Sequence, residues 1–520
     1  MNNQFFYGKD KLTVKKAVML AEGGFQGALD KDVIAKINQS QKHVQQMVEA
    51  NKTVYGVTTG FGILANTKIN DDDAATLQYK ILQSHSVGVG DAVPLEIARL
   101  MLITKVHALS QGFSGVQLST VERILWHLQN DVIPVVPEKG SVGASGDLAP
   151  LAHLFLPLIG LGEVVYKGAK FKTQDVLNKF NLKPIQLGPK EGLALINGTQ
   201  FILAYAIKSV QRLHNCLEAA DIIGAMSLEA LTGTKAPFDA RLHELRPYRG
   251  NKLVAQRLRQ LLQNSEIMQS HIDCGRVQDP YSLRCMPQVH GASRNAWQHL
   301  KELTEIECNA VTDNPIVLGE DDTISGGNFH GQPLALPLDY ACFAASEIGN
   351  ISDRRCYLLL EGKWGLPMLL MNNVGLNSGF MIPQYTTAAL VTENKTLCFP
   401  ASADSIPTSL GQEDHVSMGS ISGRKLNSIL DNLEYILAIE LLCACQAIEF
   451  RSPLKSSPIL EFAHDYVRRF VGFAEEDRIF ANDIDAIKNT LSDFSFVNNV
   501  NEFASSQTIE LNKGYEQFNC

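Results

Sequence analysis

The chain reads as a mainly α protein, with a long central helical bundle and C-terminal helical region over residues 199–520. An N-terminal domain of mixed loops and helices, residues 1–198, precedes it and carries the loop of chemical interest. Three observations predict this. Residues 199–231 hold no proline and one glycine, Gly224, and their apolar side chains recur at helical spacing: Ile202, Ala206, Val210, Leu213, Leu217, Ala220. A run of that length exceeds the ordinary helix of roughly 8–20 residues and suggests a bundle. The sequence also lacks strand–helix alternation, a glycine-rich dinucleotide fingerprint and any repeat at a fixed period.

In chain order, residues 94–109 and 119–129 read as helices, the second with Ser119 as its N-cap and Glu122 at the third helical position. Glycine-rich breaks fall at 56–62, 88–90 and 140–146. The most apolar stretch, 148–162, contains Pro150, His153 and Pro157 and is too short and broken to span a bilayer. Strand-like pieces at 163–166 and 171–173 suit a small hairpin. The hydrophilic segment 241–264 reads as a surface connection between the halves. Further long helices are expected at 292–310, 338–360 and 422–451. In the last, Leu426, Leu430, Leu433, Leu437 and Leu441 form one stripe that ends before Pro453.

The 520 residues are 45% hydrophobic and 19% charged, which is globular composition. Lys plus Arg number 46 and Asp plus Glu 55, a net charge of −9, so a nucleic-acid partner is not expected. The first residues lack a basic start followed by an apolar run, so no signal peptide is read, and no membrane partner. The ten cysteines begin at Cys216 and form no C-x-x-C pair, Cys443 and Cys445 being nearest. They read as scattered buried thiols in a reducing cytoplasm. Clustered zinc ligands are absent, so no metal is expected.

The most informative segment is Gly140-Ser-Val-Gly-Ala-Ser-Gly-Asp147. It suits a tight loop entering the apolar helix that follows, with Ser145 or Asp147 as cap. It also places Ser145 where a hydrolase nucleophile could sit, but Asp147 stands where the G-x-S-x-G elbow needs glycine. A third reading is self-condensation. The amide nitrogen of Gly146 attacks the carbonyl carbon of Ala144, two waters leave, and Ser145 becomes a dehydroalanine unit within a methylidene-imidazolone. Small residues on either side permit that close approach.

The run GSVGASGDLAPLAH resembles the signature of the aromatic amino acid ammonia-lyases and their related aminomutases. The resemblance continues in Tyr55-Gly-Val-Thr-Thr-Gly-Phe-Gly62, Glu191-Gly-Leu-Ala-Leu-Ile-Asn-Gly198, Gln278-Asp-Pro-Tyr-Ser-Leu-Arg284, Ser325-Gly-Gly-Asn-Phe-His-Gly331 and Gln412-Glu-Asp-His-Val-Ser-Met418. Six blocks in the family's order span nearly the whole chain. The resemblance implies an ammonia-lyase/fumarase-like helical fold. It also implies a methylidene-imidazolone formed from Ala144, Ser145 and Gly146 with no external cofactor, and a homotetramer whose active sites are each assembled from three subunits.

It assigns roles residue by residue. Tyr55 is the expected base for the substrate's β-proton. Free tyrosine has a pKa of about 10, so nearby donors must favour its phenolate. Arg284 is the expected clamp on the substrate carboxylate, its planar fork matching both oxygens. Tyr281, Asn197 and Gln278 are the expected polar partners of this site and the electrophile, and Phe329 the aromatic that shields it. Read from the residues alone, each of these also suits packing, loop fastening or a surface ion pair.

Two positions bear on the substrate by resemblance. Ser84-His85 resembles the pocket of the histidine-type branch, and some bacterial tyrosine enzymes share it. Glu413, in Gln412-Glu-Asp-His415, also resembles that branch. A carboxylate beside imidazole can accept its N–H, whereas beside a phenyl ring it is an unpaired buried charge costing several kcal/mol. Met286, His290 and Gly411 depart from the branch's commonest residues. The expected reaction is elimination of ammonia from L-histidine to give trans-urocanate. The alternatives are a tyrosine or phenylalanine ammonia-lyase or aminomutase, and a non-catalytic helical scaffold.

Overall fold

The computed structural model describes residues 4–50, 52, 54, 59, 71–272 and 275–520. Tyr55 and the rest of the 56–62 glycine-rich block, Thr59 apart, lie outside them. The chain divides into two compact units interleaved in sequence. One holds residues 1–208, 300–339 and 400–424, the other 209–299, 340–399 and 425–520.

In the first unit, helix Leu95–Leu109 is buried almost all round from Ile97 onward and packs on helix Leu118–Gln129. The latter is not capped by Ser119. Its N-cap is Gln117, whose side chain makes no capping bond. Instead the buried Glu191 carboxylate accepts from the Gln117 N–H at 2.8 Å and the Thr120 hydroxyl at 2.6 Å. A carboxylate brought from another helix thus satisfies the free end, which a local sequence pattern does not show.

Strands Val132–Pro134, Glu163–Tyr166 and Ala169–Lys172 form an antiparallel three-stranded sheet. It contains the expected hairpin plus one strand, and Val132, Val164 and Val176 pack beneath it with Trp126 and Phe180. Helices Asp71–His85, Leu148–Phe155 and Glu191–Ile196 pack on one another. That trio brings three sequence-distant segments to one place.

Long helices dominate the chain: Gln200–Ala230, Met286–Glu307, Gln332–Leu360 and Gly419–Glu449. The expected seams are buried, including all five leucines of the 426–441 stripe. Helix Gln200–Ala230 is buried on nearly every side, so it is a core helix rather than an amphipathic one.

Segment 241–264 is not a surface connection. It forms helices Ala240–Glu244 and Arg249–Leu261 inside the second unit, with Leu253, Val254, Leu258 and Leu261 buried. Arg257, also fully buried, pairs with Glu218 and Asp221, each at 2.8 Å. Arg294 reaches the same two carboxylates at 2.9 and 2.6 Å. Burial pushes the Glu218 acid up, but the two guanidiniums overcome it and hold it at about 2. The hydrophilic composition of this segment hid charges that are neutralised in the core.

No described helix is long and apolar enough to cross a membrane. Among the described residues, no group of three or more His, Cys, Asp or Glu side chains is placed to hold a metal ion.

Candidate active site

Residues 140–147 join strand Pro137–Lys139 to helix Leu148–Phe155. Ala144 and Ser145 form a turn, with Ser145 at φ +52° and Gly146 at φ +83°. A left-handed serine costs roughly 1–2 kcal/mol, so the surroundings must hold it there. They do so on both sides. Ala144 packs against Val416 and Met418. A Cβ on Gly146 would lie 2.1 Å from the Gly198 carbonyl oxygen, so only glycine fits.

This loop is stitched to the corner at 197–202, where helix Gln200–Ala230 begins. The Asn197 side-chain amide donates to the Ser145 carbonyl at 3.0 Å, and the Gly198 N–H points to the same oxygen at 3.4 Å. In return the Asp147 N–H donates to the Gly198 carbonyl at 2.7 Å. Asp147 makes no side-chain cap on its own helix. Its carboxyl accepts from the N–H groups of Phe201 and Ile202 at 3.1 and 3.0 Å, capping the longer helix instead. Burial pushes that acid up to about 7 against the pull of those donors.

Glu413 closes the other side. The Ser145 hydroxyl donates to its Oε1 at 2.9 Å. Its Oε2 accepts from the hydroxyls of Thr408 and Ser409 at 3.0 and 2.8 Å. The carboxylate is therefore fixed by a turn of its own chain, not loose in a solvated loop. His85, at the end of helix Asp71–His85, lies within its electrostatic reach. Burial lowers the His85 pKa, while a hydrogen bond to Ile81 and the Glu413 charge draw it back. The Ser84 hydroxyl meets His85 Nδ1 at 3.0 Å.

Gln278, Tyr281 and Arg284 gather in the second unit, around the short helix Tyr281–Arg284. The Arg284 guanidinium donates to the Asp279 carbonyl at 3.0 Å and the Gln278 side-chain oxygen at 3.1 Å. It lies over the Tyr281 ring at 4.5 Å, and that ring is 71% exposed. A cation so held is oriented before any anion arrives. Phe329 is half-buried in a turn after strand Thr323–Ile324. In one chain the structure thus gathers Ser145, Asn197, Glu413 and His85 in one unit, and Gln278, Tyr281 and Arg284 in the other.

A family model described as aromatic amino acid lyase matches residues 12–469. The chain belongs to that family. A histidine ammonia-lyase of Vibrio cholerae is 46% identical over 478 residues, covering 91% of this chain and 94% of the relative. One from Desulfotalea psychrophila is 45% identical over 486 residues, covering 93% and 95%. Among solved structures, histidine ammonia-lyase from Trypanosoma cruzi superposes with a TM-score of 0.89 at 39% identity, covering 99% of this chain and 96% of that one. A tyrosine aminomutase from Streptomyces globisporus gives a TM-score of 0.90 at 34% identity, covering 94% and 97%.

Within this aromatic amino acid lyase, four polar groups at the loop escaped the sequence reading: Lys105, Thr408 and Ser409 beside it, and Ser141 within it, whose hydroxyl donates to Asp147 Oδ1 at 3.2 Å. The hydroxyls carry no signal, since a turn of Ser and Thr reads as solvated. Lys105 does carry one. It is the lone lysine or arginine in the apolar run 100–109, and such a residue needs a buried partner.

Proposed function

We propose that this aromatic amino acid lyase removes ammonia from L-histidine without oxidation, giving trans-urocanate as a step of histidine degradation. The observation that carries the reading is the Glu413 carboxylate, anchored by Thr408 and Ser409 on one oxygen and set against Ser145 on the other. A fixed anion beside the reacting loop, with His85 near it, suits an imidazole N–H and penalises a bare phenyl ring. The similarity to proteins named histidine ammonia-lyase at 45–46% identity supports the same choice.

The residues fit a methylidene-imidazolone built from Ala144, Ser145 and Gly146. The turn at Ala144–Ser145, the space that only Gly146 can occupy, and the two donors on the Ser145 carbonyl are what such a ring requires. Among the described residues the buried Asn197 Oδ1 has no hydrogen-bond partner, which suits a side chain placed for its amide end. Once formed, the ring supplies an electrophile that makes loss of a poor leaving group feasible. The protein's own groups do the rest. Arg284, held by Gln278 and stacked on Tyr281, binds the substrate carboxylate. Tyr55 takes the β-proton as phenolate. Glu413 orients the imidazole, and Phe329 screens the site from water.

The reading includes a homotetramer with shared active sites in the cytoplasm. An exposed apolar face supports the assembly: Tyr340, Phe343 and Tyr357 on helix Gln332–Leu360, with Ile382 and Tyr385 on helix Met381–Leu397. Incubating purified protein with L-histidine, L-tyrosine and L-phenylalanine tests the substrate, since urocanate, coumarate and cinnamate have distinct ultraviolet spectra. Urocanate as the main product is expected. Coumarate, cinnamate or a β-amino acid as the main product would contradict it.

A further inference from the structure

Lys105 lies in the middle of helix Leu95–Leu109 and is 1% exposed. Its ammonium donates to the Asn197 backbone carbonyl at 2.7 Å and approaches Gln200 Oε1 at 3.5 Å. Both acceptors belong to the corner that grips the reacting loop. The Asn197–Gly198 peptide therefore has a cation on its oxygen, while its N–H points to the Ser145 carbonyl. The same residue 197 sends its side-chain amide to that oxygen at 3.0 Å. A charge on the carbonyl end of a peptide strengthens the N–H at the other end, because hydrogen bonds in series polarise one another.

We propose that Lys105 is a positioning residue for the Ser145 carbonyl, acting through the Asn197–Gly198 peptide to hold and strengthen the two donors on that oxygen. The inference rests on the ring-forming reading above and deepens it. Its consequence falls on a defined step. Gly146 nitrogen bonds to the Ala144 carbonyl carbon, and the oxygen of that carbonyl leaves as one water, taking the amide hydrogens of Ser145 and Gly146. The Ser145 Cα–H is then lost as a proton, the Cα–Cβ double bond forms, and the Ser145 hydroxyl leaves with that proton as the second water. Loss of the Cα proton places negative charge on the Ser145 carbonyl oxygen, where the Asn197 amide and Gly198 N–H converge. The Glu413 carboxylate, on the Ser145 hydroxyl at 2.9 Å, is placed to relay that proton to the departing oxygen.

Charge is what distinguishes this role from filling space. Lys105 and Lys190 are both buried in the first unit. Lys190, equally buried, is paired with Asp313 at 2.7 Å and the Ser114 carbonyl at 2.7 Å, so its charge is already compensated away from the loop. Burial brings the Lys105 pKa down to about 7, with Asp313 and Asp147 pulling it up and Lys190 pushing it further down.

The test compares wild type with Lys105→Met, Lys105→Gln and Lys105→Arg, reading intact mass, kcat and KM. In the neutral variants, a substantial fraction should retain one or both waters. The closed fraction should turn over about tenfold or more slowly, with KM nearly unchanged. Lys105→Arg should recover both readouts above Lys105→Gln, since both can donate but only one is charged. Complete ring closure with wild-type kcat in Lys105→Met, or equal behaviour of the Arg and Gln variants, would overturn the proposal. So would failure of every Lys105 variant to fold, which would make the residue structural. A wild-type protein that is active at its full sequence mass would instead refute the ring itself, a result separable from any of these.

Discussion

The Ser145 hydroxyl donates to Glu413 Oε1 at 2.9 Å across 268 positions of sequence. Two blocks far apart in the chain are therefore neighbours in the fold. Glu413 does not drift there, because Thr408 and Ser409 hold its other oxygen. Replacing it with glutamine keeps the volume and removes the charge. Glu413→Gln should lower kcat on L-histidine about 10²-fold or more while the thermal midpoint moves by only a few degrees. Steady-state kinetics with intact mass on the same sample checks this, since a closed ring with low turnover assigns the loss to the substrate step. An unchanged rate would leave Glu413 as a loop fastener.

Gly146 has no room for a side chain. A methyl group there would sit 2.1 Å from the Gly198 carbonyl oxygen, and the residue's φ of +83° disfavours any L side chain. Gly146→Ala should break the stitch to residue 198, cost about 2 kcal/mol or more, and leave the protein at full sequence mass. Mass spectrometry and thermal unfolding read both effects.

Two buried histidines set an acid limit on stability. Burial lowers His107 and His127 to about 4, from an ordinary value near 6.5. The unfolded chain takes up protons below about 6.5 and the folded chain does not. The stability these residues contribute is therefore complete above that pH and is lost as pH falls toward 4, about 3 kcal/mol each at order of magnitude. Thermal midpoints measured from pH 7.5 to 4.5 at fixed protein concentration should fall steadily. In His127→Asn, which keeps a donor for the Val132 carbonyl, the slope should be shallower.

The second unit stands on its buried ion cluster. Arg257 and Arg294 share Glu218 and Asp221, and His290 Nδ1 lies 2.7 Å from Asp221. Arg257→Met strips one cation and leaves buried carboxylate charge underpaired, so it should cost about 3–5 kcal/mol in thermal or denaturant unfolding. An equally stable variant would show that the second guanidinium alone suffices.

Long helices were legible because burial of one face writes itself as spacing. Residues 199–231 and 422–451 emerge as Gln200–Ala230 and Gly419–Glu449. Segment 241–264 misled because Arg257 is a core residue, and composition counts it as surface. Ser119 and Asp147 misled for a related reason. Glu191 from another helix serves the end at Gln117, and Asp147 leaves its own helix end to cap the longer helix. Around the loop, the motif blocks pointed to Ser145, Asn197 and Glu413. They gave no sign of Lys105, whose meaning lies in a carbonyl 92 positions away. Pairings of that kind come from tertiary packing, which local pattern does not encode.

Intact mass of purified, active protein decides whether Ala144, Ser145 and Gly146 condense into the proposed electrophile. The wild type should be lighter than its sequence by two waters. Ser145→Ala should keep its full mass and lose several orders of magnitude in turnover. Active wild-type protein at its full sequence mass, or a fully active Ser145→Ala, would contradict it.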